Sequence, residues 1–308
     1  MVRHDFLRLV GSCYPHKRRF SFYTVDRVRK KQTSTEYCMD LVRKHDFENY
    51  LCTLLLPKKI RRTGVAVRAF NIEVATIQDQ VTDTKIGQMR CKFWENSLAQ
   101  IYEDKVPKHP VLIELYVAAK SHKLSKMYLK RLITARESFM LSSSMKSIEH
   151  LETYAENVVS PINYLFLEAM DIKNVNADHA VSHLGKCQGI VNIIRSLPYA
   201  NKIGRISMPQ DILLKYNVSH ENIIRQSNEQ NVRDAIFEVA SRANSHLTKA
   251  CAIEKDLDKN VKSIFLPAVA LGSYLEKLRK SDFNVFDSKL QQRNSLLPIK
   301  LLWRKLIR

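Results

Sequence analysis

The chain has 308 residues, 45% of them hydrophobic, and a net charge of +19. That length holds one large domain or two small ones, with enough apolar content for a core without disulfides. Six scattered cysteines with no CxxC pair exclude a disulfide framework and a zinc finger, and the lack of an 18-residue apolar run excludes a membrane-spanning helix. Glycine is scarce, seven residues in all, where ~7% of a chain is usual, and this favours long helices over a many-stranded sheet. No GxGxxG, GxxxxGK[ST] or GxSxG loop is present, so the common nucleotide and hydrolase signatures are missing.

Residues 1–33 hold nine Lys/Arg and two Asp, a net charge of +7, mixed with Phe, Leu, Val, Ser and Tyr. This composition predicts a mitochondrial transit peptide, set against a plain basic tail. From Ser34 the apolar spacing is helical almost throughout. Tyr37, Leu41, Val42 and His45 share a face; Tyr50, Leu51, Leu54 and Leu55 follow, and Pro57 ends that element. The spacing predicts helices over 64–84, 86–104, 111–121, 125–141, 147–171 and 177–197. A loop at Pro198–Pro209 follows, then helices over 220–247 and 260–281. The pattern gives an all-α domain over 34–285 with no internal repeat.

Residues 286–308 form a basic amphipathic tail helix. Its last 20 residues carry six Lys/Arg and no acid. Leu297, Leu301, Leu302, Trp303 and Leu306 alternate there with Lys300, Arg304, Lys305 and Arg308. Such a helix suits either an anionic membrane surface, contacted by Lys300, Trp303, Arg304, Lys305 and Arg308, or the protein's own core. With the positive charge concentrated at the two ends rather than along one folded face, nucleic acid is not an expected partner.

Two stretches carry the remaining information. Ala69–Asp79 reads AFNIEVATIQD, after L-L-P at Leu55–Pro57. Gly185–Pro209 reads GKCQGIVNIIRSLPYANKIGRISMP. The first resembles AFCRxxDDxxD, and the second resembles LGxAxQxxNIxRDxxEDxxxGRxYLP. These are the two motifs of the squalene/phytoene synthase superfamily, and the resemblance covers about residues 35–280. Gly185, Gln188, Asn192, Ile193, Arg195, Gly204, Arg205 and Pro209 stand in register, with Tyr154 upstream.

The resemblance implies a single-domain, isoprenoid-synthase-like helical bundle around a central cavity. It also implies two facing acidic walls that hold Mg²⁺ against a diphosphate, since a hard cation wants oxygen ligands. The acids are missing. The three positions of the first motif are Ala75, Thr76 and Asp79, and those of the second are Ser196 and Ala200. The motif tyrosine is Ser207, and no Asp or Glu occurs between Asp178 and Asp211. Neither a catalytic residue, a metal nor a cofactor is therefore expected. Arg195, Lys202 and Arg205 remain as candidate anion or lipid contacts. Asp79 and Asp83, one turn apart and near Glu73, form a weaker substitute motif; a solvated helix surface explains them better. His179 and His183, also one turn apart, lack a third metal ligand.

The combination resembles a non-catalytic branch of the superfamily that supports early assembly of mitochondrial respiratory complex I. It implies peripheral attachment at the matrix side of the inner membrane, with complex I assembly intermediates or a membrane subunit as partners. A residual prenyl-diphosphate transferase and a lipid or prenyl-chain carrier are the alternatives.

Overall fold

The computed structural model describes residues 32–142, 144–204 and 206–307. The expected transit peptide lies almost wholly outside them, as do Arg205 and Arg308. Thr33 starts the first helix with a capping box: its hydroxyl accepts from the Glu36 N–H, and the Glu36 side chain accepts from the Thr33 N–H. Eighteen α-helices follow among the described residues. They begin with α1 (Ser34–His45), α2 (Phe47–Leu54), α3 (Lys58–Ala75), α4 (Ile77–Gln80), α5 (Thr84–Tyr102), α6 (Pro110–His122) and α7 (Lys126–Ser142). The middle of the chain gives α8 (Ile148–Val158), α9 (Ser160–Ala169), α10 (Val175–Ser196), α11 (Ala200–Ile203), α12 (Gln210–Lys215) and α13 (His220–Ile224). The remainder are α14 (Gln230–Glu254), α15 (Lys259–Lys262), α16 (Pro267–Lys280), α17 (Ser288–Gln291) and α18 (Leu297–Ile307).

The all-α expectation holds, while several predicted helices divide. The predicted 147–171 helix is α8 and α9, parted at Val159, because Pro161 enters the first turn of α9 and cannot donate to the preceding turn. The predicted 64–84 helix begins six residues earlier, directly after Pro57. It stops at Thr76, whose hydroxyl donates back to the Ile72 and Glu73 carbonyls. Residues 220–247 divide into α13 and a longer α14, and Pro198–Pro209 contains the short α11. Pro267 similarly separates α16 from α15.

Helix α10 is the spine, packing against α14, α8 and α9. Two glycines permit this closeness. A Cβ on Gly185 would stand 2.8 Å from the Ser160 backbone in α9, and one on Gly189 would stand 2.8 Å from the Ala155 Cα in α8. On the other side α3 packs on α1 and α6, and α5 packs on α7. Phe70, Leu98, Leu115, Leu129 and Leu132 are fully buried between these layers.

Two charged groups inside this half are paired. Glu114 of α6 accepts from Arg62 at 2.7 and 3.0 Å and from Thr35 at 3.0 Å. Burial pushes its carboxyl up, but these bonds prevail and hold it below the ordinary range. Arg68 lies over the Phe166 ring, 3.7 Å from Asp46, whose carboxyl burial pushes upward in spite of that neighbour.

Candidate functional site

The first motif stretch straddles the break between α3 and α4. Ala75 is exposed on the last turn of α3, Thr76 turns its hydroxyl onto its own backbone, and Asp79 is exposed on α4. The second stretch closes α10. Ser196 likewise donates to the Ile193 carbonyl at 2.7 Å, and Ala200 is buried in the core. Two methyls and two hydroxyls bonded to helix carbonyls stand at four of the five motif positions, leaving one carboxylate. A magnesium ion needs several hard oxygen ligands, so this donor set does not fit the metal-diphosphate chemistry. Among the described residues no group of three or more His, Cys, Asp or Glu is arranged to hold a metal.

The surroundings of the two stretches also differ. Next to the first, Gln80 accepts from Arg90 of α5 at 2.7 Å. Next to the second, Pro198 accepts from Gln226, and Tyr199 donates to Gln291. Arg195 pairs with Glu48 of α2 at 2.8 Å and lies 4.3 Å from the centre of the Tyr274 ring of α16. Its charge thereby joins α2, α10 and α16. Lys202 is exposed on α11.

Between α3, α7 and α8 the interior is bridged by side chains. Arg136 of α7 donates to Asn71 Oδ1 at 2.6 Å, to the Leu132 carbonyl at 2.8 Å and to the Val158 carbonyl at 3.3 Å. Burial lowers its proton affinity. Phe139 and Tyr154 pack together with ring centres 4.7 Å apart.

There are two surface concavities, the first of them bordering the first motif stretch. One of about 490 Å³ runs between α3–α4 and α5, lined by Glu73, Ile77, Ile86, Met89, Arg90 and Phe93 among others. The other, about 450 Å³, opens along α14 beside Ser241, Arg242, Ser245, His246 and Lys249. A pocket shared by Ala75, Thr76, Ser196 and Ala200, which facing acidic walls would require, is neither of these.

Helix α18 has two apolar faces. Leu297 and Leu301 are buried against Cys52, Leu266 and Ala270. At about 100° per residue, Ile299, Leu302, Trp303 and Leu306 stand opposite them. All four are at least half exposed, Leu306 to 80%. Lys300 and Lys305 are exposed on the two flanks, whereas Arg304 turns toward the body and donates to the buried Glu254 at 3.2 Å. The inner face of the tail is thus docked on the protein's own core, and its outer apolar face is left exposed. Glu254 escaped the sequence because its partner lies 50 positions away. Glu48, the partner of Arg195, escaped it for the same reason: 147 positions separate the two.

The squalene/phytoene synthase family model matches residues 42–299. A protein of Bos taurus named "NADH dehydrogenase (ubiquinone) complex I, assembly factor 6" is 43% identical over 272 residues, covering 87% of this chain and 82% of that protein. Its Drosophila melanogaster homologue is 42% identical over 90% of this chain and 85% of its own length. Among solved structures, the squalene synthase HpnC of Alicyclobacillus acidocaldarius superposes with a TM-score of 0.71 at 18% identity. That match covers 82% of this chain and 95% of the other.

Proposed function

From its membership of the squalene/phytoene synthase family, in the branch whose members are named complex I assembly factor 6, to which the chain belongs, we propose a non-catalytic assembly factor for mitochondrial respiratory complex I. It acts early, at the matrix side of the inner membrane, on assembly intermediates or a membrane subunit. The observation that carries the reading is the substitution pattern. Four of the five metal-binding positions hold methyls or hydroxyls, two of the four turned onto their own helix and one buried, while the helices around them stay closely packed. A working ionisation site needs those carboxylates; a binding scaffold does not.

Membrane contact falls to α18. Its outer face supplies the apolar surface of an interfacial helix, and Lys300 and Lys305 supply cations at the headgroup level. No helix among the described residues is long and apolar enough to cross a membrane. Loss of the gene tests the reading: assembled complex I falls, with the other respiratory complexes near normal. An unchanged complex I level in null cells refutes it.

A further inference from the structure

The seam between α10 and α14 carries two facing polar stripes. His179, His183 and Lys186 recur at helical spacing on α10; Arg242, Ser245, His246 and Lys249 do so on α14. They meet at His183 and His246, whose Nδ1 atoms are 2.8 Å apart. The other ring nitrogen of His246 is held by Glu152 of α8 at 3.0 Å. Arg242 is held by Glu152 and Glu149 at 3.2 and 3.3 Å, and Glu238 by Lys215 and Tyr216. Glu149, Glu152 and Glu238 are therefore occupied. Lys186, Lys249, the Ser245 hydroxyl and Nε2 of His183 make no hydrogen bond or ion pair among the described residues. Of these groups Ser245 and Lys249 line the concavity of about 450 Å³ along α14, together with Glu238, Ser241, Arg242 and His246.

We propose that this seam is a binding site for a phosphate-type anion, held by Lys186 and Lys249, with His183 Nε2 and the Ser245 hydroxyl as donors. Two ammonium groups and two neutral donors suit an oxyanion, and charge-assisted bonds of this kind are the strong ones. The state of His183 agrees. Burial first, and then His246, Lys186, Lys249 and His179, bring its pKa down to about 4, so the ring responds to charge placed beside it. A bound anion opposes those neighbouring charges and raises the His183 pKa. The same chemistry serves a soluble phosphate or a phosphomonoester headgroup.

The test follows the His183 ring by NMR in the full chain, labelled at histidine, across a pH titration. With inorganic phosphate at about 20 mM, the His183 midpoint rises by roughly one pH unit or more, the size expected for an adjacent charge. Lys186→Ala with Lys249→Ala lowers phosphate affinity at least tenfold; Lys58→Ala with Lys59→Ala, an exposed pair on α3, leaves it unchanged. An unmoved His183 midpoint overturns the site. So does an equal loss in the Lys58/Lys59 control, because that is non-specific attraction to a basic protein. Phosphatidic acid vesicles, compared with phosphatidylcholine vesicles, identify the source. A His183 response to the former that requires Lys186 and Lys249 marks a headgroup, and a response to inorganic phosphate alone marks a soluble ligand.

Discussion

Replacing Leu302, Trp303 and Leu306 with serine should detach the protein from bilayers without unfolding it. These side chains are 50%, 66% and 80% exposed, so the fold gains little from them. Full burial of such a side chain is worth about 1.5–3 kcal/mol, and half to four-fifths of each is available to the bilayer, or about 1–2 kcal/mol apiece. Together they contribute about 3–5 kcal/mol, two to three and a half orders of magnitude in partition at about 1.4 kcal/mol per decade. Lys300→Ala and Lys305→Ala should each remove about 1 kcal/mol, and only on anionic vesicles at low salt. Liposome flotation measures the first loss and its salt dependence the second, with circular dichroism as the check on folding. If the triple serine variant floats as the parent does, α18 is not the membrane contact. Leu301→Ser should behave differently: it opens the buried face and lowers stability itself.

Other outcomes follow from the two motif stretches and the buried acid. Ala75→Asp should change stability by less than about 0.5 kcal/mol, since Ala75 is exposed, whereas Ala200→Asp should cost several kcal/mol because Ala200 is buried; urea denaturation separates them. Labelled farnesyl diphosphate with Mg²⁺ should show no turnover; turnover abolished by Asp79→Asn refutes the non-catalytic reading. Glu114→Gln should cost about 1.5–3 kcal/mol at neutral pH through weakened bonds to Arg62 and Thr35. Because Glu114 is held below its unfolded value of about 4.3, that stability is present above this pH and lost as pH falls through the lower folded value. Parent and variant should therefore converge in acid denaturation, and a constant difference down to low pH excludes the ion pair as the cause.

The all-α class, the spine helix and the motif substitutions were legible in the sequence because each rests on local spacing or residue identity. Helix ends at Pro161 and Pro267 were legible in principle, yet the apolar periodicity ran across them and hid the breaks. The environment of the second motif was not legible. Arg195 reads as an anion or lipid contact because no acid lies between Asp178 and Asp211, but its carboxylate comes from α2, and its aromatic cover from α16. Likewise the sequence shows His179 one turn from His183, while the partner of His183 is His246 on another helix. Long-range ion pairs carry no periodic signal, so a single chain does not disclose them.

The clamp on α18 fixes an angle as well as a contact. Leu297 and Leu301 grip the body while Arg304 is tied to Glu254, so the helix has little freedom to roll about its own axis. A bilayer meeting the outer face would therefore find the protein in one pose, with α2 and α16 directly above the lipid. The tail then serves as a bearing that sets which surfaces point sideways along the membrane, where an embedded client must approach, and which point up into the aqueous phase. Arg304→Ala, which cuts the tie to Glu254, would leave the outer apolar face in place and loosen that bearing.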